Sequence, residues 1–237
     1  MKENVNQIPN QNVVQQRMVE FLKVLKDTPN NIQNNWNSKQ REKYIYDKVI
    51  SSLSFIIPGD FILKNKKCVE KLKSVYTSSD PSSFTTMSLL DYFEDIDVNS
   101  IYFILEPFGP KSSPDFLFIS SKGTYGIEEK SSANGKITFN TGTPGGNKVI
   151  MYYDRKENKI YLTSGPNWGW TGDIEREYRE FTKEMIDYCK NRFQEKFGDR
   201  LSQMDYYARP MLVDKNQIKN IWDKDEKDVM DMLDKYI

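Results

Sequence analysis

Between residues 100 and 164 the sequence changes texture, and that change limits the folds open to the chain. The runs IYFILEPF, DFLFIS, TYGIEEK, KVIMYY and KIYLTS are rich in β-branched and aromatic residues and are separated by polar, Gly- or Pro-containing breaks, as strands are. On either side the periodicity is helical. Val14, Met18, Phe21, Leu22 and Leu25 recur along 12–27, and Tyr44, Ile45, Val49 and Leu53 mark a helix over about 39–55 with Ser38 as its N-cap. Further helices are expected over 66–77, 85–96, 174–196 and 216–236. Helices, a strand cluster, then helices predict an α/β protein: a central mixed β-sheet flanked by helices, with an N-terminal helical region. No repeat or linker interrupts this order. Residues 1–237 therefore read as one domain, helical over 1–97, with a sheet core over 98–165 and a second helical part over 173–237.

The chemistry open to the chain is narrowed by a missing residue type. There is no histidine, which removes Ser-His-Asp and Cys-His nucleophilic machinery, HExxH zinc sites and any nuclease with a histidine base. The two cysteines, Cys68 and Cys189, lie far apart and form no CxxC pair, so neither a disulfide framework nor a thiolate zinc site is expected. Hydrolytic chemistry would rest on carboxylates, lysine, tyrosine or a hard cation held by oxygen. Formal charge is zero overall but uneven. Residues 36–76 carry nine basic groups against four acidic, 80–108 six acidic and none basic, and 109–170 eight basic against five acidic. Basic faces beside an acidic centre suit a polyanion guided to a metal site. Solvated helix faces would give the same counts.

One segment gathers the candidate chemistry. Pro114-Asp115 opens the strand FLFIS, a turn at Lys122-Gly123 follows, and the returning strand ends in Glu128-Glu129-Lys130. With Ser121 facing Thr124, Asp115 lies opposite Lys130 and diagonal to Glu128. Glu128 and Lys130 share a face with Asp115, and Glu129 points away. Two carboxylates at that spacing can bridge Mg²⁺, with the main-chain carbonyl of Glu129 as a further ligand. Lys130 would stand beside a metal-bound water.

Pro114-Asp115, twelve intervening residues and Glu128-x-Lys130 resemble the PD-(D/E)xK nuclease motif, and the compact chain resembles a type II restriction endonuclease. The likeness covers about residues 98–165. It implies a restriction endonuclease-like core in which Asp115 and Glu128 bind Mg²⁺ and Lys130 assists attack of water on a phosphodiester. It also implies a double-stranded DNA substrate cut to 5′-phosphate and 3′-hydroxyl ends. A third carboxylate from a helix is common in that family. Glu70, Asp91 and Glu94 are candidates, and the orientation of Glu106 is open. Asp225-Glu226-Lys227 also fits the short pattern, but without a preceding apolar strand.

For DNA contact the sequence offers the loops 131–147 and 163–172. Hydrogen-bonding candidates are Ser131, Ser132, Asn134, Lys136, Asn140, Thr141, Thr143, Asn147 and Lys148. Trp168 and Trp170 suit either core packing or base stacking. A symmetric duplex target would favour a homodimer. No apolar run approaches the roughly 20 residues that span a bilayer, and MKENVNQIPNQN lacks the apolar core of a signal peptide. A cytoplasmic protein with no membrane partner is therefore expected. Two alternatives stay open: a repair or recombination nuclease reading DNA structure, and a non-catalytic nucleic-acid-binding or partner-binding module whose carboxylates are structural.

Overall fold

The computed structural model describes residues 11–33, 35–77, 83–110, 112–134, 136–139, 148–164, 172–198, 200 and 211–214. Five α-helices are described: α1 (Gln11–Asp27), α2 (Ser38–Ser52), α3 (Lys66–Thr77), α4 (Thr86–Leu89) and α5 (Gly172–Phe197). The strands are β1 (Ile56–Pro58), β2 (Ile101–Leu105), β3 (Phe116–Ile119), β4 (Thr124–Ser132), β5 (Lys136–Phe139), β6 (Lys148–Asp154), β7 (Lys159–Ser164) and β8 (Met211–Asp214). Six of them form one open mixed sheet in the order β1-β2-β3-β4-β6-β7. β1 runs parallel to β2 and β4 parallel to β6, while β2-β3, β3-β4 and β6-β7 are antiparallel. β5 and β8 pair separately. The chain is thus α/β with a mixed sheet.

Alternation along the strands sends two sets of side chains to opposite faces. One set, including Phe103, Phe118, Tyr125 and Met151, packs with Phe21 and Leu25 of α1 and Ile45 and Val49 of α2. Phe118 stacks between Phe103 and Tyr125, with centroids 4.3 and 5.0 Å away, and Phe21 meets its edge at 5.0 Å. The other set, Tyr102, Ile104, Leu117 and Ile119, packs with Cys68, Leu72 and Val75 of α3. Buried on both sides, β2 and β3 read as continuous apolar runs, without the alternation of a half-exposed strand.

Several boundaries differ from expectation. The α2 cap is Asn37, not Ser38. Its Oδ1 accepts from the Gln40 N–H at 3.0 Å while Gln40 Oε1 accepts from the Asn37 N–H at 3.0 Å, a capping box. The helix expected over 85–96 is one turn, Thr86–Leu89. Beyond it, Asp97 accepts from the Asn99 N–H at 3.0 Å and the Ser100 hydroxyl at 2.5 Å, local bonds that compete with helix. Three-residue β1 was hidden behind the Pro58-Gly59 stop, and β5 lies within a segment that reads as loop. The helix expected over 216–236 lies outside the described residues.

Candidate active site

The β3-β4 hairpin that carries Asp115, Glu128 and Lys130 turns one residue earlier than the sequence suggests. Ser120 N–H donates to the Gly123 carbonyl at 2.9 Å, leaving Ser121 and Lys122 exposed at the tip. Gly123 takes φ 151°, an angle that favours glycine. The ladder pairs Ile119 with Thr124 and Phe116 with Ile127. One further step sets Asp115 beside Glu128, not beside Lys130. The slip moves each partner by two residues, an even number, so every side chain keeps its face. Asp115, Glu128 and Lys130 therefore still share a side of the sheet, with the two carboxylates closer than expected.

Each member is held by its neighbours. Asp115 Oδ2 accepts from the main-chain N–H of Glu129 at 2.7 Å. Lys130 Nζ donates to Glu128 Oε1, the two side chains being 18% and 10% exposed. Glu128 Oε2 is buried and has no hydrogen-bond partner. Half-buried Asp115 is pushed up to about 8, by burial first and by the Glu128 carboxylate second, against the pull of Lys130. Burial alone would lower the Lys130 ammonium, but Glu128 and Asp115 outweigh it and raise its pKa.

Glu129 points to the other face, as expected, and meets a partner that the sequence did not announce. Arg41 of α2 donates from Nε to Glu129 Oε1 at 2.9 Å and from Nη2 to Oε2 at 3.3 Å, and its Nη1 reaches the Trp36 carbonyl at 2.9 Å. Any ligand from Glu129 would therefore be its main-chain carbonyl. The next residue, Glu42, is also buried and is pushed up to about 7 by burial, Glu129 and Glu106. It acts on Asp115 in turn.

Glu42 is thus the helix carboxylate that belongs to this neighbourhood. Glu70, Asp91 and Glu94 are exposed and are not among the groups that act on Asp115. A signal for Arg41 and Glu42 was present: they extend the Ile45-Val49 stripe at helical spacing, and both are buried with it. Charged residues on the apolar face of a helix call for buried partners. Glu106 follows β2 at φ 48°, donates its N–H to the Asp115 carbonyl at 2.8 Å and lies 3.9 Å from Lys39 of α2.

The residues expected to touch DNA are dispersed. Ser132 is buried, its hydroxyl 3.0 Å from Asn134 Oδ1 and 3.2 Å from the Tyr152 hydroxyl, because those polar groups draw it inward. Ser131 is half-buried and Asn134 exposed. Lys148 opens β6 beside Gly126, and its Nζ donates to Ser113 Oγ at 2.9 Å. Lys136 lies in β5. Asn140, Thr141, Thr143 and Asn147 fall outside the described residues, as do Trp168 and Trp170.

Whether these groups suit a cation follows from their charge. Asp115 and Glu128 repel one another in a partly desolvated place, Lys130 offsets one charge, and Glu128 Oε2 is left over. Among the described residues no group of three or more Asp, Glu or Cys side chains could by itself enclose an ion. Mg²⁺ does not require one, since it is often held by one or two carboxylates and keeps several waters. The donor set fits a hydrated hard cation between Asp115 and Glu128.

No helix among the described residues is long and apolar enough to cross a membrane. No protein-family model, curated protein or solved structure matches the chain.

Proposed function

We propose that the chain is a divalent-cation-dependent endonuclease of double-stranded DNA, of the restriction type, with a restriction endonuclease-like core. The observation that carries this reading is one cluster: Asp115 and Glu128 side by side on one face, Lys130 against them, and a buried Glu128 oxygen without a partner. Asp115 and Glu128 would hold Mg²⁺, with the main-chain carbonyl of Glu129. When bound, such an ion lowers the pKa of its water and offsets charge building on a phosphate.

The remaining work belongs to the chain itself. The Glu129 N–H fixes the Asp115 carboxylate through Oδ2, which limits the reorganisation that binding would require. Lys130 has a raised pKa and stays an ammonium at neutral pH. It therefore donates hydrogen bonds to a water or to a phosphate oxygen, orienting the nucleophile without acting as its base. The Arg41–Glu129 pair braces β4 from behind.

The Lys130–Glu128 contact in the protein alone favours the competing view, a structural ion pair in a binding module. Long DNA incubated with Mg²⁺ or Mn²⁺ separates them. Discrete fragments with 5′-phosphate ends support restriction, and cutting confined to branched or damaged DNA supports a structure-reading nuclease. No cutting of any DNA rejects catalysis. Asp115→Asn and Lys130→Met should each slow cleavage by about 10²-fold or more; variants as active as the parent would place the site elsewhere.

A further inference from the structure

Helix α5 is the longest helix described, at 26 residues, and none of its described side chains is buried. Yet it is not a polar helix. Ile174, Phe181, Met185 and Tyr188 are 48%, 57%, 46% and 62% exposed, and half-buried Tyr178 lies between the first two. The positions 174, 178, 181, 185 and 188 alternate steps of four and three. That is the 3.5-residue period of a seam that meets another helix. A single surface helix has no use for it, because a row of large apolar side chains is left in water.

The charges along α5 indicate what covers the seam. Residues 173–187 carry six acidic groups against three basic, and 190–196 carry three basic against one acidic. The helix is therefore polarised along its length, and its own reverse is its complement. Two copies laid antiparallel about the point between Glu184 and Met185 set the acidic stretch of each against the other's basic end, with Glu177 of one copy level with Arg192 of the other. A parallel pair would set acid against acid. Antiparallel pairing about a two-fold axis is isologous and closes at two copies.

We infer that the exposed face of α5 is the seam of an antiparallel homodimer. This goes beyond the nuclease reading and does not rest on it. A 26-residue helix is about 39 Å long and about 10 Å wide, which makes a small interface. Dissociation in the micromolar range is expected.

Sedimentation of the full chain up to tens of micromolar tests this without reference to activity. The parent should approach twice the chain mass. The double variant Phe181→Glu/Met185→Glu should raise the dissociation constant by about tenfold or more with unchanged far-UV circular dichroism. Glu177→Arg alone should weaken the dimer, and Glu177→Arg with Arg192→Glu should restore it. A monomer throughout the range overturns the inference, as it would if another segment of the chain covered α5. So does a dimer indifferent to the Phe181/Met185 change, and failure of the charge reversal to restore pairing overturns the antiparallel arrangement.

Discussion

Arg41 on α2 and Glu129 on β4, 88 residues apart in the chain, form a two-pronged ion pair whose side chains are 7% and 3% exposed. The pair ties a helix to the back of the strand whose front carries Glu128 and Lys130, and it sets Glu42 beside the same strand. A buried pair of this kind gives modest net stability, but breaking it leaves one charge stranded. Arg41→Ala should therefore destabilise the protein by about 3–5 kcal/mol, whereas Arg41→Met with Glu129→Leu should cost much less. Urea denaturation of the two variants checks this. Equal losses would mean that the pair does not act as a unit.

The stability of the apo protein should fall as pH rises from about 5 to about 9. The ordinary pKa values of 3.8 for Asp115 and 4.5 for Glu42 are raised to about 8 and about 7 in the fold. Between those limits the native state keeps protons that the unfolded chain has released. The associated stability is complete below the unfolded values and is lost as pH passes through the folded ones. Asp115→Asn should flatten the profile and stabilise the protein at alkaline pH by about 1–3 kcal/mol. Added Mg²⁺ or Ca²⁺ should raise Tm more at alkaline than at acid pH, since only the ionised pair attracts a cation. Thermal melts across pH, with and without cation, decide the matter.

Much of this was legible from residue order. Strand alternation put Asp115, Glu128 and Lys130 on one face and Glu129 on the other, and a two-residue slip of register could not undo that assignment. Helices α1 and α3 and strands β6 and β7 announced themselves through periodicity and β-branched runs. Other features depended on partners distant in sequence. β1 has three residues and exists because Ile56 pairs with Ile101. β5 exists because Lys136–Phe139 finds β8. Arg41 and Glu42 stand on the apolar stripe of α2, but what they meet there is set only when α2 is laid against β4. The hairpin turn was misplaced because Gly123 closes the turn instead of occupying its tip.

Gly126 stands between the site and its support. A Cβ there would come 2.3 Å from the Tyr76 hydroxyl and 2.7 Å from Pro114 Cβ and Cγ. The tyrosine can swing, but the Pro114 ring is tied to the backbone that presents Asp115. Gly126→Ala should therefore cost about 1–3 kcal/mol, as overpacking of a filled interior does. It should also weaken cation binding by displacing Asp115, which titration calorimetry with Ca²⁺ would show. Full affinity with reduced stability would mean that Asp115 is held by the Glu129 N–H alone.

Lys130 and a cation compete for the same carboxylates, so affinity and turnover should part company when Lys130 is removed. In the protein alone the Lys130 ammonium neutralises Glu128. Lys130→Met leaves Glu128 and Asp115 facing one another without a counter-charge, and the variant should be less stable without cation and regain stability with it. Ca²⁺ should bind it about tenfold more tightly than the parent, a gain of about 1.4 kcal/mol, while DNA cleavage in Mg²⁺ falls by about 10²-fold or more. Glu128→Gln should do the reverse to affinity, because it removes a ligand and leaves Lys130 to face Asp115. Calorimetry on the two variants, beside cleavage rates, separates a lysine that orients a nucleophile from one that only balances charge. In the latter case Lys130→Met would bind cation tightly and still cut DNA.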